Sequence, residues 1–132
     1  ESETGKAILA MFPKLPPEGQ SAAVQHIGNL LANEDYGPFA SYMTNSTVAP
    51  EIQDVILGDL LNRPNAIKLP MLLEVARNGR EEMAGQAKDF LEIFLGEDHG
   101  KDWNAWQTHL NTWLKENPDE VIPGSTGASV GN

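Results

Sequence analysis

An all-α fold is expected from three features of the chain. Apolar residues recur every three to four positions almost throughout, alternating strand patterns are missing, and Pro and Gly punctuate the periodic stretches at helix-like lengths. At 132 residues the chain has the size of a single domain, long enough to bury a core without staples.

Ala7, Ile8, Met11 and Phe12 make a short first stripe, stopped by Pro13 and the Pro16-Pro17 pair. Ala23, Val24, Ile27, Leu30 and Leu31 follow the i, i+3/i+4, i+7 rule across a second helix. Pro38, suited to a first helical turn, opens a short segment carrying Phe39, Tyr42 and Met43. Pro50 opens the next, with Ile52, Val55, Ile56 and Leu60 on one face and Leu57 and Leu61 widening it. Asn62 to Asn65 reads as a turn. Ile67, Leu69, Leu72, Leu73 and Ala76 follow, interrupted by Pro70, which either kinks this helix or marks its true start. Asn78-Gly79 ends it. Met83, Ala87, Phe90, Leu91 and Phe94 form a long amphipathic helix closed by Gly96. Trp103, Trp106, Leu110, Trp113 and Leu114 stripe the last helix, with Asp102 at its N-cap position. Residues 1–117 thus form the helical domain, and 118–132, rich in Gly and Ser with little to bury, read as a flexible tail or linker.

Three helices close on a double apolar ending: Leu30-Leu31, Leu60-Leu61 and Phe94-Leu95, spaced 30 and then 34 residues apart. Each is followed by a connector and a second apolar segment. One hairpin cannot cover its own apolar face, so neighbouring hairpins are expected to stack. Arg80 to Leu95 resembles the second helix of a HEAT repeat, with an Arg near the start followed by Ala and Leu at packing positions. Gly96 to Trp106 is similar to the closing segment of bacterial HEAT-repeat proteins, where a Gly/Asp-rich turn leads into a Trp-bearing helix, here continued by Trp113. The resemblance is closer over residues 50–117 and looser from Pro17 to Asn45. Armadillo-type and other helical-hairpin arrays share the pattern, and Pro70 and the short Pro38 segment depart from it. It implies a short right-handed stack of about three antiparallel helical hairpins, a HEAT-like α-solenoid, preceded by a short N-terminal helix.

The chain carries 19 acidic against 9 basic residues, for a net charge of -10. That balance repels phosphate backbones, so nucleic acid is excluded as an expected partner. No stretch reaches the ~20 apolar residues of a membrane span, so direct membrane insertion is not expected either. Zero cysteines exclude disulfides, thiolate metal sites and a cysteine nucleophile. The chain opens at Glu1 without Met, so the natural protein is expected to extend upstream; the compartment is left open, and only if a leader or anchor lies there does an exported or envelope-associated reading follow.

No catalytic residue, cofactor or metal site is expected. His26 flanks the Val24/Ile27 stripe and reads as a partly buried, hydrogen-bonded side chain. His109 precedes core Leu110 and reads as facing solvent. His99 sits with Glu97, Asp98 and Asp102 in an acidic turn where a metal is conceivable, but no His pair has ligand spacing. The preferred reading is that Asp98 and Asp102 cap a helix and Gly100 takes a left-handed turn. The serines lack the glycines of a nucleophile elbow.

Function is then expected to be non-enzymatic: an interaction or scaffolding module presenting a ridge or concave face to a protein partner. Tyr36, Tyr42 and Trp103 are the candidate partner-binding residues. The alternatives are an enzyme or enzyme-accessory domain, or a structural part of a larger envelope or surface protein. Ile56, Leu60, Leu72, Leu91, Phe94, Trp106 and Leu110 are the expected carriers of stability.

Overall fold

Proline sets the starts of the early helices. A computed structural model of the chain describes residues 1–119 and contains seven α-helices, with no strand among the described residues. They are α1 (Ser2–Met11), α2 (Pro17–Leu30), α3 (Gly37–Ala40), α4 (Pro50–Leu60), α5 (Asn65–Asn78), α6 (Glu81–Leu95) and α7 (Trp103–Glu116). Single 3-10 turns follow α1 at Phe12–Lys14, precede α3 at Asn33–Asp35 and follow it at Ser41–Thr44. Pro17, Pro38 and Pro50 sit in the first turns of α2, α3 and α4, where a missing N–H costs nothing. Pro16 and Ala49, each preceding a proline, are extended, which fixes the abrupt helix entry.

Pro70 lies inside α5 rather than at its start. Its ring removes one backbone bond, but Pro70 and Ala66 are both exposed, so water reaches the freed carbonyl. The opposite side of α5 buries Leu69, Leu72, Leu73, Val75 and Ala76, and that packing holds the helix through the interruption. At the start of α5 the Asp119 carboxylate accepts hydrogen bonds from the backbone N–H groups of Asn65 (2.6 Å) and Ala66 (2.9 Å). The chain therefore stays attached to the helical body through Asp119, two residues past the expected boundary at 117. The rest of the expected tail, 120–132, lies outside the described residues.

One continuous apolar core runs from Phe12 to Leu110. Helix α1 packs on α2, α2 on α4, α5 on both α6 and α7, and the turn after α3 reaches α4 and α5. Close approach is purchased with glycine: a side chain at Gly5 would meet Leu30 Cβ at 3.0 Å, and one at Gly28 would meet the Asp59 carboxyl at 2.9 Å. Ile56, Leu60, Leu72, Leu91, Trp106 and Leu110 are buried as expected. Phe94 is only half-buried but packs against this core, with the Lys68 ammonium 4.3 Å from its ring centroid.

Arg63 staples the α4–α5 turn to the end of α2. Its guanidinium donates to the Leu31 carbonyl (3.0 Å), the Asn33 side chain (2.9 Å) and the Gly28 carbonyl, and its Nε faces Asp59 at 3.4 Å. Orphan carbonyls at a helix C-terminus are where such a cation is most effective.

Candidate functional site

The corner between α6 and α7 is built from two left-handed glycines and three side-chain locks. Gly96 ends α6 at φ 83°, a conformation that penalises any residue with a Cβ, and its N–H closes on the Glu92 carbonyl at 2.7 Å. Asp98 then accepts from the Gly100 N–H (2.8 Å) and meets the Lys88 ammonium (3.7 Å), while Gly100 turns the chain at φ 60°. Asp102 caps α7 through the Ala105 N–H at 3.1 Å. The expected Asp102 cap and left-handed Gly100 are thus present, whereas Asp98 closes the connector turn instead of capping a helix.

Trp106 anchors this connector from below. Its indole is fully buried, and its Nε1 donates to the Gly100 carbonyl at 3.0 Å. His99 is folded back over α7, edge-on to Trp106 with ring centroids 5.0 Å apart. Trp106 and His109 lie three residues apart on one helix face, so the same fold-back brings His99 onto His109. The rings are perpendicular and joined by a 2.8 Å hydrogen bond between His99 Nε2 and His109 Nδ1, either ring supplying the proton. Glu97 Oε1 completes the group, 3.9 Å from His99 Nε2 and 3.8 Å from His109 Nδ1. A shallow depression bordered by Asp102, Asn104, Ala105 and Thr108 opens beside them.

His109 is therefore a correction: it is half-buried against His99 rather than facing solvent. His26 is another: it is exposed, because its position on α2 points away from the Val24/Ile27 face. The pairing of His99 with His109 escapes any spacing rule, since the two are ten residues apart and only one is helical. The legible signal was the Gly96/Gly100 reversal, which forces the connector back onto the helix that follows.

None of the three residues expected to meet a partner is exposed. Tyr36 offers no surface: its ring is fully buried, its hydroxyl donates to Asp59 at 2.6 Å, and the Arg63 guanidinium lies 4.0 Å over it. Burial, reinforced by the Asp59 carboxylate, pushes the Tyr36 phenol far above its ordinary range. Tyr42 is half-buried and stacks on Phe12 at 5.2 Å, and burial raises its phenol as well. Trp103, the first residue of α7, is half-buried against the core. Among the described residues the exposed large apolar side chains are instead Met11 and Ile93. Ile93 is 73% exposed on α6, with Asp89 and Glu92 beside it.

Among the described residues no helix is long and apolar enough to cross a membrane. No protein-family model matches the chain, no curated protein matches it, and no solved structure matches it.

Proposed function

We propose that this chain is a non-enzymatic protein-interaction module built as a short stack of helical hairpins in the HEAT-like manner. The three double apolar endings fall at the C-termini of α2, α4 and α6. Helices two places apart in the chain, α2 with α4 and α5 with α7, lie side by side, the neighbour relation that stacked pairs make. Tyr36, the fully buried phenol among the described residues, spends its hydroxyl on Asp59 beneath the Arg63 guanidinium, a structural engagement rather than an open catalytic one.

The observation that carries the reading is Ile93, a β-branched apolar side chain held out to solvent on an acidic helix. It supplies a knob for an apolar pocket, and Asp89 and Glu92 favour a partner with a basic rim. The test is affinity capture from native cells with the intact protein, comparing Ile93→Asp with Met11→Asp. Both variants should keep the fold and lose no more than about 1 kcal/mol, the cost of an acidic side chain in the last turn of a helix. Ile93→Asp should lose the captured partner and Met11→Asp should keep it. An identical set of captured proteins for wild type and Ile93→Asp would overturn the proposal.

A further inference from the structure

We propose that Glu97, His99 and His109 form a binding site for a divalent first-row transition-metal ion, with zinc the best fit. The site is independent of the interaction face on α6.

Three ligand atoms converge on one point. His99 Nε2, His109 Nδ1 and Glu97 Oε1 stand 2.8, 3.8 and 3.9 Å apart, and a triangle of those sides has a point about 2.1 Å from every corner, the length of zinc–imidazole and zinc–carboxylate bonds. Tetrahedral ligation separates ligand atoms by roughly 3.3 Å, so the two nitrogens part by about half an ångström while the carboxylate closes in by a similar amount. Glu97 is the exposed member, with 64% of its side chain accessible, and is free to make that closure.

The donor chemistry selects the metal. Two imidazoles and one carboxylate suit zinc, copper or nickel, whereas calcium and magnesium take all-oxygen shells. Three protein ligands leave a fourth position, which the open depression beside the histidines gives to water or an incoming ligand.

The histidines are held in place before any metal arrives. His99 is fixed between the Trp106 edge and His109, and the Trp106 indole is pinned to Gly100. Their side chains are only 17% and 23% accessible, so less water competes for the nitrogens than at a surface pair. Asp102 borders the same depression and adds negative charge, and the Lys88 ammonium is engaged by Asp98 at 3.7 Å. Proton bookkeeping closes without loss. The hydrogen bond needs one of the facing nitrogens protonated, whereas a cation needs both bare. The bridging proton moves to the outer nitrogen of its own ring, Nδ1 of His99 or Nε2 of His109.

The test is calorimetric titration of the intact, chelator-treated protein with Zn2+ at neutral pH. One equivalent should bind, and His99→Ala or His109→Ala should weaken binding at least about 100-fold. Glu97→Gln, at an exposed position where the fold does not depend on the charge, should weaken it at least about tenfold. His26→Ala, which removes the isolated exposed histidine, should bind like wild type. Co2+ should give the strong visible absorption of a low-coordinate site, and Cu2+ should quench the Trp106 fluorescence beside His99. No uptake by wild type at millimolar zinc, or equal affinity in wild type and Glu97→Gln/His109→Ala, would overturn the proposal.

Discussion

Tyr36 shows how one residue changes meaning once its surroundings are known. An aromatic next to an acidic connector reads as a surface anchor, yet its ring is enclosed, its hydroxyl bonds Asp59, and Arg63 stacks on it. A phenol whose pKa is raised in the folded state binds its proton more tightly there than in the unfolded chain. Its stabilising effect is complete below the unfolded pKa, near 10, and is lost as pH rises beyond that value toward the folded one. Wild type should therefore lose stability above about pH 10 with a contribution from this group approaching 1.4 kcal/mol per pH unit. Tyr36→Phe should be less stable at pH 8 by about 1.5–3 kcal/mol, for the lost bond to a carboxylate, but show a shallower alkaline decline. Urea melts from pH 8 to 11 would check this, and parallel slopes for the two proteins would refute it.

Among the elements, glycine separates positions that need it from positions that merely tolerate it. Gly79 ends α5 in an extended conformation open to any residue, so backbone freedom is not the reason for it. A Cβ there would stand 2.7 Å from the Val75 carbonyl oxygen and 3.1 Å from its Cγ1. Gly85 lies inside α6 on its solvent side, with nothing within 4 Å of an added Cβ. Gly85→Ala should raise stability by about 0.5–1 kcal/mol, because alanine restricts the unfolded chain and favours helix. Gly79→Ala should lower it by more than about 1 kcal/mol, because the α5 end must open. Chemical denaturation of the two variants is the measurement, and a shift of the same sign in both would contradict this account.

At the scale of the molecule the core is one body, and Trp106 is its largest fully buried side chain. The indole supports the core, the Gly100 carbonyl and the His99 ring at once. Trp106→Ala should cost roughly 3–5 kcal/mol, a large share of the ~5–15 kcal/mol that holds a domain of this size. The loss should appear as a lower denaturant midpoint with an unchanged slope, since the core unfolds as a unit. A cost under about 1 kcal/mol would mean that the indole is solvated rather than buried.

Local signals along the chain set the helices and most of their ends. Periodicity, proline at helix starts, Gly96 and Gly100, and the Asp102 cap act within a few residues along the chain, and they placed all seven segments and most of the core. Pro70 was ambiguous because helix continuity there depends on the buried face of α5 and on Asp119, 54 residues from Asn65 in sequence. Tertiary structure alone decided which helices became neighbours, that Tyr36 was enclosed, and that His99 met His109. Those outcomes rest on contacts between distant residues, whose geometry is set by how the helices close over a shared core, and no local spacing encodes it.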